Sequence, residues 1–215
     1  ICGNNCIAHI DNLNDVMEGV SELLSEDGVF VVECNYWGGM VKNKNYALIY
    51  HDHFSYFSFQ TWYNYLRKFN KEPYDAWVTP AQRGSLRLLA SRFGNYDRTE
   101  RYAKLLQEET DTNLNSYETA KKYSSDVLSE AKKLHNLISD LKKQGKTIAG
   151  YGAAAKGFSV MKLADITDKH LEYFVDDSPA KQGKWTPVTH IPVVSRKDAE
   201  DFGMPDYFFI TAPNY

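Results

Sequence analysis

The spacing of hydrophobic positions changes several times along the chain, and each change marks an element. Leu13, Val16, Met17, Val20, Leu23 and Leu24 recur every three or four residues behind Asp11 or Asn12 as a cap. They predict a helix that Asp27 and Gly28 terminate. The apolar, β-branched run of residues 29–33 then predicts a buried parallel strand, so residues 12–33 read as half of an α/β unit. Aromatic residues crowd between Tyr46 and Tyr65, and Ser58 is placed to cap a helix running to about Asn70. Residues 74–79 and 85–93 read as strands about a turn at Pro80 and Gly84. That pattern predicts an antiparallel hairpin closing one edge of an otherwise parallel sheet.

The remainder is helical first and α/β afterwards. Asp97 and Glu100 stand at capping-box spacing ahead of Tyr102, Leu105 and Leu106, which predicts a helix. Ala120, Tyr123, Val127, Ala131, Leu134, Ile138 and Leu141 step by three and four from about Ser116 to Gln144, and Gly145 stands at the terminating position. This long helix reads as a packing or interdomain element rather than a coiled-coil strand. Residues 147–150 then predict a strand, 153–163 a helix, 171–175 a strand and 205–210 another. Two α/β segments separated by helices predict two domains.

Composition narrows the function classes. With 25 Lys and Arg against 28 Asp and Glu, scattered along the chain, there is no basic footprint for nucleic acid. No apolar run reaches membrane-spanning length and no leader-like segment opens the chain, so no membrane partner is expected and the location reads as cytoplasmic. Cys2, Cys6 and Cys34 are too few for a disulfide framework. Cys2 and Cys6 read as small buried residues at a strand end or as half of a zinc site. The chain begins at Ile1 and ends at Tyr215 just after an apolar run, which reads as a piece of a longer protein.

Two segments carry chemistry. Gly150, Gly152 and Ala155 spell G-x-G-x-x-A between a strand and a helix, with Asp176 and Asp177 some distance on. Gly150 would permit the tight turn, Gly152 would let the backbone approach a phosphate, and Ala155 would hold the helix close. Helix amides and Lys156 would attract the anion. The alternative is that small residues only permit close packing there. The second segment is Tyr50, His51, Asp52 and His53. If extended, His51 and His53 share one face and Tyr50 and Asp52 the other. A general base tuned by an acid, a His-x-His metal pair and a structural pair all fit these residues. His9 stands where chain ends at the carboxyl edge of a sheet face ligands.

Residues 5–9, the stretch Leu-Leu-Ser-Glu-Asp-Gly-Val-Phe-Val-Val-Glu at 23–33, residues 50–58, Gly-Tyr-Gly-Ala-Ala-Ala-Lys-Gly at 150–157 and residues 175–192 occur in an order that resembles sugar C-methyltransferases dependent on S-adenosylmethionine. The resemblance implies an α/β fold: the C-terminal part of a Rossmann-like methyltransferase sheet over residues 1–94, then residues 95–215 as a C-terminal domain. In that domain a helical connector, 95–145, precedes a second Rossmann-like α/β unit, 146–215. It further implies a parent with an upstream zinc module and an upstream S-adenosylmethionine loop, so that this piece alone is inactive and none of its residues binds metal.

The implied reaction is C-methylation of a nucleotide-linked 4-keto sugar, with thymidine diphosphate as the expected nucleotide. By resemblance His53 is the base, Asp52 tunes it, Tyr50 positions the sugar or stabilises charge, and His9 lies near the reacting centre. Gly150, Tyr151, Gly152, Lys156, Asp176 and Lys181 are the implied nucleotide-side residues. Gln82 and Arg83 depart from the family's His-Gly before Gly84-Ser85-Leu86-Arg87. Read without the resemblance, the glycine motif fits an NAD(P)-dependent oxidoreductase or a non-catalytic nucleotide-sugar binding module. The sequence leaves the oligomeric state open.

Overall fold

The structure is a computed structural model that describes residues 1–211. The chain divides into two compact units, one of residues 1–45 and 51–123, the other of residues 46–50 and 124–215.

The first unit opens with β1 (Cys2–Asn4), a 3-10 turn at Ile7–His9, α1 (Leu13–Leu23) and β2 (Phe30–Asn35). Asn12 is the cap of α1, its side chain accepting from the Asp15 amide. After α2 (Trp37–Asn43) and α3 (Phe59–Arg67) come β3 (Lys71–Thr79) and β4 (Ser85–Arg92). The sheet order is β1-β2-β4-β3, with β1 and β2 parallel and the β3–β4 hairpin antiparallel, as the apolar pattern predicts. Because strand side chains alternate, Phe30, Val32 and Cys34 of β2 share a buried face with Leu86, Leu88 and Ala90 of β4. Met17 and Val20 of α1 and Phe59, Trp62 and Leu66 of α3 belong to the same core. Trp62 and Leu66 are fully buried, each stabilising by about 1.5–3 kcal/mol on area grounds.

Two details of capping set the position of α3. Ser58 and Thr61 form a reciprocal capping box. The first two amides of the helix, Phe59 and Gln60, donate to the buried carboxylate of Glu109 at 2.6 and 2.9 Å. Glu109 comes from α4 (Glu100–Asp111), which is capped by Thr99 and not by Asp97. The Thr99 hydroxyl both accepts from the Tyr102 amide and donates to Asp75 Oδ1 at 2.6 Å, so two partners select it over the acid two residues earlier. Helix α3 also stops at Arg67, short of Asn70, because Asn70 turns left-handed with φ 52°.

Helix α5 (Tyr117–Lys143) follows, with Gly145 at φ 76° beyond its end. The second unit then holds β5 (Ile148–Tyr151), α6 (Ala155–Leu163), β6 (Phe174–Val175), β7 (Lys184–Trp185), β8 (Pro192–Val194), α7 (Ala199–Phe202) and β9 (Tyr207–Ile210). Its sheet order is β7-β8-β6-β5-β9. Four strands, β8, β6, β5 and β9, are parallel, and β7 is an antiparallel edge. Numbering only the parallel strands in chain order gives 3-2-1-4, the first four strands of a doubly wound nucleotide-binding order, with its switch point between β5 and β9. The strand expected over 171–175 shrinks to two residues, because Leu171 still bonds back to Thr167 in the preceding turn. No helix among the described residues is long and apolar enough to cross a membrane.

Candidate functional site

In the first unit the parallel strands β1 and β2 end side by side, and the chemistry-bearing residues gather where they end. Asn5, immediately after β1, adopts φ 52° and donates its amide to Glu33 O at 2.7 Å. Its side chain reaches Glu33 Oε1 at 3.3 Å, and Arg87 Nε donates to the other Glu33 oxygen at 2.9 Å. Glu33 is thereby buried with partners on both oxygens.

The segment carrying His53 is tied down at both ends. Phe54 N donates to Ala8 O at 2.8 Å, and Phe57 bridges Tyr36, with Trp37 N donating to Phe57 O at 2.8 Å. These anchors bring His53 beside His9, ring centroids 4.8 Å apart, and edge-on to Tyr56 at 6.0 Å. The side chain of Asn35, last residue of β2, places Nδ2 at 3.1 Å from His53 Nδ1 and 3.3 Å from Nε2.

Residues 51–52 form a turn rather than an extended segment, so the alternating faces expected of Tyr50 to His53 do not arise. His51 and Asp52 both face solvent and pair with each other at 3.1 Å. The Asp52 carbonyl, not its carboxylate, contacts the site, 2.9 Å from His9 Nδ1. Tyr50 is half-buried and is grouped with the second unit. Among the described residues no three His, Cys, Asp or Glu side chains stand together as a metal site. Cys2 and Cys6 are exposed, contrary to the buried role read from the sequence, whereas Cys34 is buried and its thiol is pushed up to about 12 by burial.

A cavity of about 230 Å³ lies beyond Tyr56, lined also by Trp37, Ser58, Thr61, Asn115 and Ser116. Its polar side chains serve the protein itself: Ser58 and Thr61 cap α3, Ser116 accepts from the Thr119 amide, and Asn115 donates to Gln60.

In the second unit the glycine loop follows β5 as predicted, but its glycines act differently. Gly150 lies within the strand, where an added Cβ would stand 2.2 Å from the Phe174 ring, so its bareness serves sheet packing. Gly152 makes the turn, with φ 78°. Helix α6 starts at Ala155, two residues later than read from sequence. Gly157 admits Thr211, 2.2 Å from where its Cβ would be. Lys156 is half-buried and its ammonium pKa is lowered by that burial.

Asp176, at the end of β6, is engaged on both oxygens. Oδ2 accepts from Ala153 N at 2.7 Å and Lys181 Nζ at 2.9 Å, and Oδ1 from Ser178 N at 2.9 Å. Burial works against its charge, but the Lys181 contact and the two amides outweigh it and hold the carboxyl below its ordinary value. Asp177 pairs with Arg196, whose Nη2 also donates to the Tyr151 hydroxyl at 3.0 Å. Neither acid therefore presents a free carboxylate of the kind that grips a ribose in dinucleotide sites.

Sequence reasoning missed Asn35 and the Asn5–Glu33–Arg87 network. The available signal was a pair of polar residues, Glu33 and Asn35, in an otherwise apolar strand.

Residues 80–215 match the family model of the C-methyltransferase C-terminal domain. The whole chain is 29% identical to C-methyltransferase NovU of Streptomyces niveus, covering 100% of this chain and 51% of that protein. The chain thus spans about half the length of the curated relative it matches. With most of its residues inside the family match, the chain belongs to the C-methyltransferase C-terminal domain family.

Proposed function

We propose that the protein containing this chain is an S-adenosylmethionine-dependent C-methyltransferase acting on a nucleotide-linked 4-keto sugar, with thymidine diphosphate as the nucleotide. The observation that carries the proposal is the gathering of His53, His9 and Asn35 at the carboxyl ends of two parallel strands, in a member of this family. S-adenosylmethionine supplies the methyl group when bound.

The part derived for this chain is proton removal. A ketone acidifies the C–H beside it, and an imidazole takes such a proton near neutral pH. His53 is the base in this reading: the proton passes to a ring nitrogen and the C–H electron pair becomes the enolate. His9 packs against that ring and is itself oriented by the Asp52 carbonyl. The Asp52 carboxylate serves the exposed His51, so its expected tuning of His53 is at most indirect. Tyr50 enters through the resemblance alone. The second unit, taken by itself, is proposed to hold a nucleotide phosphate at the Gly150-Tyr151-Gly152 loop with Lys156, while Asp176 and Lys181 brace that loop instead of touching ligand. The engaged state of Asp176 and Asp177 disfavours the oxidoreductase reading.

The test is His53→Asn in the full-length protein, assayed with S-adenosylmethionine and a thymidine diphosphate 4-keto sugar. Loss of methylation with sugar-nucleotide binding retained by calorimetry is expected, and undiminished turnover refutes the base assignment. Calorimetric binding of NAD with no response to the sugar nucleotide would refute the substrate class.

A further inference from the structure

The hydrogen bonds around His53 assign a task to a residue that no sequence motif marks. Asn35 ends β2, is 6% exposed, and is fixed by the six-residue pairing of β2 with β4. Its amide nitrogen stands near both ring nitrogens of His53, at 3.1 and 3.3 Å, and so packs over the ring on the side of its two nitrogens. An amide nitrogen can only donate, so it presents the positive end of its N–H dipoles to the ring whichever nitrogen carries the proton. A contact shared in this way survives a change of tautomer, and the donor opposes a second proton on the ring. Among the described residues, the titratable groups near the ring include His9, Tyr56 and the His51–Asp52 pair beside it in the chain.

We propose that Asn35 is a positioning residue for His53, holding the imidazole plane against the end of β2 and favouring its unprotonated form. The proposal rests on reading His53 as the base. It explains why a neutral carboxamide, and not the nearby Asp52 carboxylate, meets the ring. A carboxylate there would stabilise the imidazolium and leave less free base at neutral pH, whereas a carboxamide fixes the ring without adding charge.

The test compares Asn35→Asp and Asn35→Ala with the parent protein. Nitrogen NMR of histidine-labelled protein follows the His53 resonance, identified by its loss in His53→Asn, through about pH 5 to 9. Asn35→Asp is expected to raise the His53 midpoint by about 1 unit or more, and Asn35→Ala to raise it by less. In the full-length protein, with S-adenosylmethionine and the thymidine diphosphate 4-keto sugar, the acid limb of kcat/KM moves alkaline by the same amount in Asn35→Asp. A purely structural Asn35 would lower melting temperature and turnover in both variants without moving the midpoint, and that result overturns the proposal. A midpoint that moves while the acid limb stays put also overturns it as a role in the reaction. Undiminished turnover in His53→Asn removes the base reading instead, leaving the NMR comparison to decide the Asn35–His53 coupling separately.

Discussion

The carboxylate of Asp176, at the end of β6, accepts the amide of Ala153 in the loop that follows β5, at 2.7 Å. The loop that the sequence marks as a phosphate cradle is therefore held by an internal anion, with Lys181 closing the other side. An anion seated on a loop amide stabilises the turn as a bound phosphate would, but leaves that amide unavailable to ligand.

Replacing Asp176 by Ala strands the Ala153 amide and the Lys181 ammonium, and is expected to cost about 1–3 kcal/mol, read as a lower melting temperature. The pH dependence has a definite sign. The folded-state pKa of Asp176 lies below its ordinary 3.8, so its contribution is complete above that value and is lost as pH falls through the lower folded value. Acid unfolding of Asp176→Ala should therefore lose this component, and superimposable acid limbs for variant and parent would contradict the assignment.

Gly150→Ala forces a methyl group to within 2.2 Å of the Phe174 ring, in the middle of the second sheet. Overpacking of this kind costs about 1–3 kcal/mol, measurable by denaturant unfolding. Adding Phe174→Leu should recover part of the loss, a coupling expected of neighbours in contact. A neutral Gly150→Ala would show that the strand absorbs the methyl group by shifting.

Glu109→Ala leaves the Phe59 and Gln60 amides at the start of α3 without their buried acceptor, and should cost about 1–3 kcal/mol. Burial raises the Glu109 pKa above its ordinary 4.5, only partly offset by the Gln60 and Phe59 amides, Tyr36 and Asn115. The folded state thus binds this proton more tightly than the unfolded chain, and stability from this group declines as pH rises from 4.5 through the folded value. Thermal unfolding across that window should show a shallower decline in the variant, and an equal slope would refute the shift.

Much of the architecture was legible because periodicity reports which face an element buries. The helix of Leu13 to Leu23, the Ser58 cap, the hairpin about Pro80 and Gly84, and the strand and helix flanking Gly152 all follow from spacing and turn chemistry. Where two caps competed, the local pattern chose Asp97 and the fold chose Thr99, whose hydroxyl also donates to Asp75 of β3.

The candidate site divides in the same way. Residue types and spacing singled out the Tyr50 to His53 cluster, the glycine loop and the acids at 176 and 177, because imidazoles, bare backbone and carboxylates are chemically distinctive at any address, whereas the roles of His53 and His9 came from the resemblance. What each one touches depended on segments far apart in the chain meeting at one edge. Asn35 meets His53 because residues 54 and 57 are bonded to residues 8 and 36. Asp176 faces inward because β6 lies beside β5 in register, bringing its carboxylate under the Ala153 amide. The sequence by itself determined the elements and the inventory of reactive groups, since those depend on neighbours within a few residues. Only the tertiary structure decided which groups are paired, which glycine serves packing and which carboxylates are taken up by the protein itself, because hydrogen-bond partners are set by strand order and register across the whole sheet.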